Sequence, residues 1–201
     1  MPTTLITPPS AEPVTLAQFK QHARVTRDDE DGLITGYLVA ARRYCETALK
    51  RQLITATWRL TLDRFPCNEI VVPRPPLVSV PATVGGSPAG IRYLDSQAAW
   101  QTLSSAAYSV DAVSQPGRIV PAYGYSWPDT LCQANAVEVY FTAGYGAVPS
   151  DVPMTIRAAI QLLAAHWYEH REAAIDGPAP VQLPLAVEAL LASESHGAYS
   201  A

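Results

Sequence analysis

The sequence predicts an α+β protein: a small helical bundle of three main helices and a short C-terminal helix, with a central, mostly antiparallel β region and extended termini. Two observations support this prediction. Apolar residues recur at helical spacing near both ends of the chain, whereas short stretches of the middle alternate between apolar and polar residues. The 18 prolines among 201 residues also interrupt helices and stiffen loops, which is unlike a plain helical bundle.

Three main helices are predicted, over residues 15–24, 28–51 and 153–172. Thr15 and Gln18 have the spacing of a capping box, which satisfies two backbone N–H groups at a helix start. The second helix begins in acidic residues and ends in basic residues, which is the arrangement that the helix dipole favours. The third helix carries an apolar stripe that consists of Ile156, Ile160, Leu163, Ala164 and Trp167.

The segment 53–145 is predicted to be rich in β-structure. Its β-branched and aromatic stretches are separated by turn residues roughly every 8–12 positions, which favours an antiparallel sheet or a small sandwich. Strands are expected at residues 55–63, 70–72, 77–84, 91–94, 100–103, 108–110, 118–120 and 136–143. Between the last two lies a long loop, residues 121–135, which combines glycine, proline and serine with aromatic residues.

These elements predict one domain over residues 14–176, flanked by two different terminal segments. Residues 1–13 contain four prolines and few apolar residues, so they are predicted to form an extended arm. Residues 177–201 begin with a proline-rich hinge and continue into a short apolar helix. A short apolar helix after a stiff linker buries little surface alone, so it either packs back on the domain or docks on a partner.

The overall charge argues against a protein that binds nucleic acid by neutralising phosphates. The formal net charge is −4, the isoelectric point is about 5.5, and no dense run of lysine and arginine occurs.

The cysteines indicate a reducing compartment rather than a disulfide framework, because Cys45, Cys67 and Cys132 are odd in number and widely spaced. Neither a signal peptide nor an apolar stretch long enough to cross a membrane is predicted.

Two segments are candidates for contacts with other proteins. The loop at residues 121–135 presents aromatic side chains among small and polar residues, a composition typical of interaction surfaces. The alternative is that these aromatic residues simply cover the sheet. The C-terminal helix supplies apolar side chains beyond the hinge. The predicted contact residues are Tyr123, Tyr125 and Trp127 in the loop, and Leu185, Leu190 and Leu191 in the tail.

A possible metal site lies on the third helix. His166, Glu169 and His170 match the H-x-x-E-H pattern of certain zinc hydrolases, in which two histidines bind zinc and the glutamate acts as base. Two facts argue against such a site. Trp167 between the histidines belongs to the apolar stripe, and only the tail could supply a third protein ligand. We therefore predict no metal, no cofactor and no enzymatic activity, with a zinc hydrolase as the alternative.

Taken in order, the segments of this chain resemble the head–tail connector proteins of tailed phages, also called adaptor or head-completion proteins, which occur in gene transfer agents as well. The resemblance covers roughly residues 13–172, and the ordered set is more specific than any one piece. The segments that carry it are 14–26 (VTLAQFKQHARVT), 33–53 (LITGYLVAARRYCETALKRQL), 57–66 (TWRLTLDRFP), 70–80 (IVVPRPPLVSV), 125–128 (YSWP), 136–146 (AVEVYFTAGYG) and 152–172 (VPMTIRAAIQLLAAHWYEHRE).

The resemblance implies a structural protein of the virion neck that is assembled in the cytoplasm of the bacterial host. Members of the family form a ring under the portal, extend the DNA channel and give a docking platform for the stopper and tail. The implied partners are the portal protein, a stopper or tail-completion protein, and further copies of the chain in a ring expected to be twelve-fold. DNA is implied only as passing cargo. Another tail-completion or interaction module is the remaining alternative.

Overall fold

The computed structural model describes residues 2–170 and 185–195, which form four α-helices and eleven β-strands. The helices are α1 (Leu16–Ala23), α2 (Asp31–Leu49), α3 (Met154–Glu169) and α4 (Leu185–Glu194). The strands are β1 (Thr3–Thr7), β2 (Ala56–Leu62), β3 (Ile70–Val71), β4 (Leu77–Ser79), β5 (Thr83–Val84), β6 (Ser87–Pro88), β7 (Ile91–Leu94), β8 (Trp100–Thr102), β9 (Tyr108–Asp111), β10 (Arg118–Pro121) and β11 (Val137–Ala143). The predicted α+β class is confirmed. No helix within the described ranges is both long and apolar enough to span a membrane.

The described residues group into two compact units. The β unit comprises residues 2–10 and 55–145, and the helical unit comprises residues 11–54, 146–170 and 185–195. The single domain predicted over residues 14–176 and the hinged tail predicted over 177–201 stay predictions. Residues 171–184 and 196–201 of those segments lie outside the described residues.

The β unit contains a six-stranded main sheet in which every strand pair is antiparallel. Its strand order is β1-β2-β11-β7-β8, and β4 pairs with β11 beside β7. A three-stranded sheet has the order β3-β10-β9, and β5 and β6 form a separate hairpin. The segment predicted as an extended arm contributes β1, in which Thr3 lies opposite Leu60 and Leu5 lies opposite Trp58.

The two sheets enclose one apolar core because their strands alternate between buried and more exposed residues. In β11 every second residue, from Val137 to Ala143, is buried, and the residues between them are only partly exposed. The core consists of Leu60, Leu62, Ile70, Val72, Leu77, Ile91, Ile119, Val137, Val139, Phe141 and Ala143. On the other face of the main sheet, Glu138 pairs with Arg59 at 3.1 Å and with Arg92 at 3.7 Å.

The start of the helical unit has the predicted capping box. The Gln18 backbone N–H donates to Thr15 Oγ1 at 3.2 Å, and the Thr15 backbone N–H donates to Gln18 Oε1 at 3.0 Å. Val14 and Phe19, on either side of the cap, are both buried and occupy the two positions of a hydrophobic staple. Helix α1 ends at Ala23, and the C-cap residue Arg24 adopts the left-handed conformation with φ 56°.

Helices α2, α3 and α4 pack on one another and bury one face each. The buried residues of α3 are Ile156, Ala159, Ile160, Leu163 and Ala164. Trp167, which the apolar stripe was expected to include, is only half-buried. Helix α4 buries Val187 and Leu191. In α2 the thiol of Cys45 is buried, and this burial raises its pKa to about 12.

The helices are shorter than their patterns predict. Helix α2 begins at Asp31 rather than at residue 28, and it ends before Lys50, which adopts the left-handed conformation with φ 53°. Pro153 lies at the N-cap of α3 rather than inside its first turn. The helix ends at Glu169, and the last two residues of the predicted range lie outside the described residues.

A buried polar network lies at the C-terminal end of α2. Glu46 accepts hydrogen bonds from Arg42 Nη1 at 2.8 Å, Gln52 Nε2 at 2.8 Å and the Leu53 backbone N–H at 3.3 Å. Arg42 also pairs with Glu12, at 2.7 Å. These two carboxylates raise the pKa of the Arg42 guanidinium despite the opposing effect of burial. The network therefore holds three separate segments of the helical unit together.

We predict that Glu46→Ala destabilises the helical unit by about 3–5 kcal/mol, since it leaves buried hydrogen-bond donors without their acceptor. Urea unfolding followed by circular dichroism at 222 nm measures this change. Glu69→Ala is the matched control, because Glu69 forms an exposed pair with Arg118 and its loss costs at most about 1 kcal/mol. Equal losses in the two variants would contradict the structural role of the network.

Candidate functional site

Among the described residues, the most exposed aromatic side chains lie at the tip of the loop between β10 and β11. Tyr123 is fully exposed and Tyr125 is 57% exposed. The Tyr125 backbone N–H donates to Ala122 O at 2.9 Å, which closes a tight turn. Gly124 occupies this turn with φ 81°, a conformation that favours glycine. The turn therefore directs both tyrosines outward.

The side chain of Trp127, in the same loop, packs against the β unit instead of pointing outward. Its indole ring stacks on Phe65 with ring centroids 4.9 Å apart and an interplanar angle of 2°. Phe65 in turn meets Tyr93 edge-on at 5.9 Å. All three rings pack on the core of the β unit. Trp127 thus covers the sheet, as the alternative interpretation of the loop expected.

Backbone hydrogen bonds fix both ends of this loop. The Ala122 N–H donates to Ala107 O at 3.0 Å, and the Leu131 N–H donates to Leu94 O at 3.0 Å. Near the end of the loop, the Asn135 N–H donates to Asp63 Oδ1 at 2.9 Å. A loop anchored in this way presents its tip in one arrangement, which reduces the conformational entropy lost on binding.

The predicted tail contacts divide between buried and exposed positions. Leu185 is 79% exposed and Leu190 is partly exposed, whereas Leu191 is 7% exposed and packs inside the helical unit beside Val187. Leu191 therefore anchors α4 to its own unit, and the roles of Leu185, Leu190 and Leu191 as partner contacts stay predictions.

The histidine pair of α3 forms no metal centre with other described residues. The rings of His166 and His170 meet edge-on with centroids 4.8 Å apart. Nowhere in residues 2–170 and 185–195 do three His, Cys, Asp or Glu side chains come together as metal ligands. Glu169 is exposed, and His166 Nε2 is buried without a hydrogen-bond partner among the described residues.

The described residues of each unit line an open groove. The groove of the β unit, about 560 Å³, is lined by Asp63, Arg64 and residues 130–134. The groove of the helical unit, about 320 Å³, lies between α1 and α3 beside Gln18, Arg157 and Gln161. The β-unit groove contains the Cys132 thiol and the Asp63 carboxylate, and Asp63 Oδ1 accepts a hydrogen bond from the Asn135 N–H at 2.9 Å. Neither groove brings together a metal-ligand group from the described residues.

Sequence reasoning missed Phe65 as the residue that holds Trp127. The two residues are far apart along the chain, so no local pattern predicts their stacking. The sequence offered one signal for this packing, namely that the aromatic residue Phe65 follows shortly after strand β2. Of the predicted contact residues, Tyr123, Tyr125 and Leu185 are exposed, Leu190 and Trp127 are partly exposed and Leu191 is buried; their contacts with partners stay predictions.

Comparisons with known proteins identify the class to which this fold belongs. Residues 13–82 match the family described as phage gp6-like head-tail connector proteins. This match confirms the resemblance to head–tail connector proteins that the sequence predicted. No curated protein matches the chain significantly.

Solved structures of gene transfer agent (GTA) particles contain chains that are similar over nearly the full length. A chain in the neck of an empty GTA particle, computed with C6 symmetry, is 26% identical with a TM-score of 0.76. One in the virion of a native GTA particle is 27% identical with a TM-score of 0.76. One in the neck of a native particle, computed with C12 symmetry, shares the fold at 24% identity and a TM-score of 0.71. Each alignment covers 96% of this chain and 94% of the other.

We predict that Trp127→Ala lowers the free energy of unfolding of the β unit by about 2–4 kcal/mol, because it removes a stacked ring and leaves a cavity. Tyr123→Ala is the control in the same loop and should change stability by at most about 0.5 kcal/mol, since its side chain is fully exposed. Urea unfolding followed by circular dichroism measures both. A Trp127→Ala variant as stable as the wild type would contradict the packing described for this loop.

Proposed function

We propose that this protein is a structural connector in the neck of a phage or GTA particle, where copies of the chain form a homo-oligomeric ring under the portal. The observation that carries the proposal is the agreement of two comparisons: the head-tail connector family at residues 13–82 and GTA neck chains over 96% of the sequence. The ring extends the DNA channel and gives the stopper and tail a docking platform.

The exposed side chains of the two units support such a role. A neck ring needs contacts to neighbouring copies, to the portal and to the stopper, so each subunit requires several separate surfaces. The tyrosine tip in the β unit and the exposed leucines of α4 in the helical unit are two of them. Tyrosine and leucine on a fixed scaffold bury apolar area at little entropic cost.

The charge of the chain suits a channel through which DNA passes. A net charge of −4 per copy gives the ring a negative potential, which disfavours tight binding of phosphates. A zinc hydrolase built on His166 has no comparable support.

The first test is electron microscopy of particles from a host that lacks this gene. We expect DNA-filled or leaking heads beside separate, complete tails, because the joint between them is missing. Complementation with the wild-type gene is the control. Intact, infectious particles in the deletion strain would contradict the proposed function.

The second test addresses the loop tip. We expect the double variant Tyr123→Ala, Tyr125→Ala to fold normally and to reduce the fraction of heads joined to tails at least tenfold, because both anchors are lost. Val113→Ala is the matched control, since Val113 is another exposed apolar residue of the β unit. Counting joined particles by electron microscopy and measuring titre gives the result. An unchanged fraction of heads joined to tails would show that the loop tip makes no contact needed for assembly.

A further inference from the structure

The two outer strands of the main sheet, β1 and β8, are open to a further strand. Among the described residues, β1 pairs only with β2 and β8 pairs only with β7. Soluble proteins usually protect such edges with charged residues or prolines within the strand, or by covering them. Neither β1 nor β8 contains a charged residue or a proline.

The pairing of β1 determines which of its peptide groups face outward. Pro2 O accepts a hydrogen bond from the Thr61 backbone N–H at 3.1 Å, so the alternation of an antiparallel pair directs Thr4 towards β2. The N–H and C=O groups of Thr3 and Leu5 therefore point away from the sheet. Pro2 before the strand, together with the prolines directly after it, limits the available edge to β1 itself.

The edge formed by β8 has the same spacing of outward groups. The Leu103 backbone N–H donates to Ile91 O at 2.8 Å, so Gln101 faces β7 in the same alternation. Trp100 and Thr102 consequently direct their peptide groups outward. All three residues of β8 are exposed.

The chain direction of the two edges determines how they could meet. Each neighbouring pair along β1-β2-β11-β7-β8 is antiparallel, so β1 and β8 run in the same direction. If the sheet continued from one copy into the next, β8 of one copy would meet β1 of its neighbour in a parallel pairing. Such a contact joins two different surfaces of the subunit. A contact of this type repeats from copy to copy and forms a ring when the rotation between copies closes.

We propose that β1 of each subunit adds to β8 of the next subunit, so that the main sheets join edge to edge around the ring. This inference rests on the ring of the proposed function and names its subunit contact. The pairing covers Leu5, Ile6 and Trp100, apolar side chains that are each between 37% and 42% exposed in the single chain. It also supplies partners for the outward peptide groups of both strands.

The register predicts which side chains become neighbours across the contact. Thr4 lies opposite Arg59 and Thr102 lies opposite Arg92. Both arginines pair with Glu138, so the two threonines project from the same face of the sheet. Gln101, next to Thr102, projects from the opposite face.

Disulfide cross-linking in assembled particles tests the contact. The variant Thr4→Cys, Thr102→Cys is made in a background with Cys67→Ser and Cys132→Ser, which removes the exposed native thiols. After mild oxidation, we expect a non-reducing gel to show a ladder of covalent multimers. The matched control Thr4→Cys, Gln101→Cys places its second thiol on the opposite face and should give no ladder.

The outcomes separate this contact from the ring itself. Electron microscopy of the same particles shows whether the variant chain forms a ring in the neck. A ring without a disulfide ladder would overturn the strand pairing and leave the proposed function standing. Absence of the wild-type chain from the neck of wild-type particles would overturn both. Cross-linked dimers from Thr4→Cys alone would indicate a symmetric pairing of β1 with β1 and would also overturn the proposal.

Discussion

The buried carboxylate of Glu46 is connected, through hydrogen bonds and ion pairs, to the residues at which the chain enters and leaves the helical unit. Through Arg42 it is connected to Glu12, just after the first crossing from the β unit. Through Gln52, whose side chain also donates to Ile54 O at 3.0 Å, it reaches the second crossing. Ile54 itself forms a parallel bridge with Gly146, where the chain returns for the last time. One side chain is thus linked to all three crossings.

This arrangement fixes geometry more than it adds net stability. Burying an ion pair costs desolvation that its attraction roughly offsets, so the benefit lies in the one arrangement that satisfies every partner. The third crossing is restricted further, since a Cβ at Gly146 would lie 1.9 Å from Asp151 Oδ2. Only glycine fits there without a shift of Asp151.

Local patterns predicted much of the fold, whereas long-range pairing could not be predicted from them. The capping box at Thr15 and Gln18 depends on neighbours three residues apart, and alternation within β11 depends on burial of one face. By contrast, residues 1–13 carry no signal that β1 pairs with β2, more than fifty residues away. For the same reason the loop pattern could not tell Trp127, which stacks on Phe65, from the exposed Tyr123.

The scarcity of charge on this protein is itself an argument about its assembly. Identical copies that come together bring identical charges, and a net charge of −4 per copy makes any charged self-contact repulsive unless each charge meets its opposite. Contact surfaces between copies are therefore favoured where charge is absent. Both sheet edges, β1 and β8, and the tyrosine tip meet this condition, since none contains an ionised side chain. Meanwhile, the charges of the main sheet are paired with one another around Glu138. A charged side chain, lysine above all, is one common means of preventing strand addition at such edges, and neither β1 nor β8 contains one.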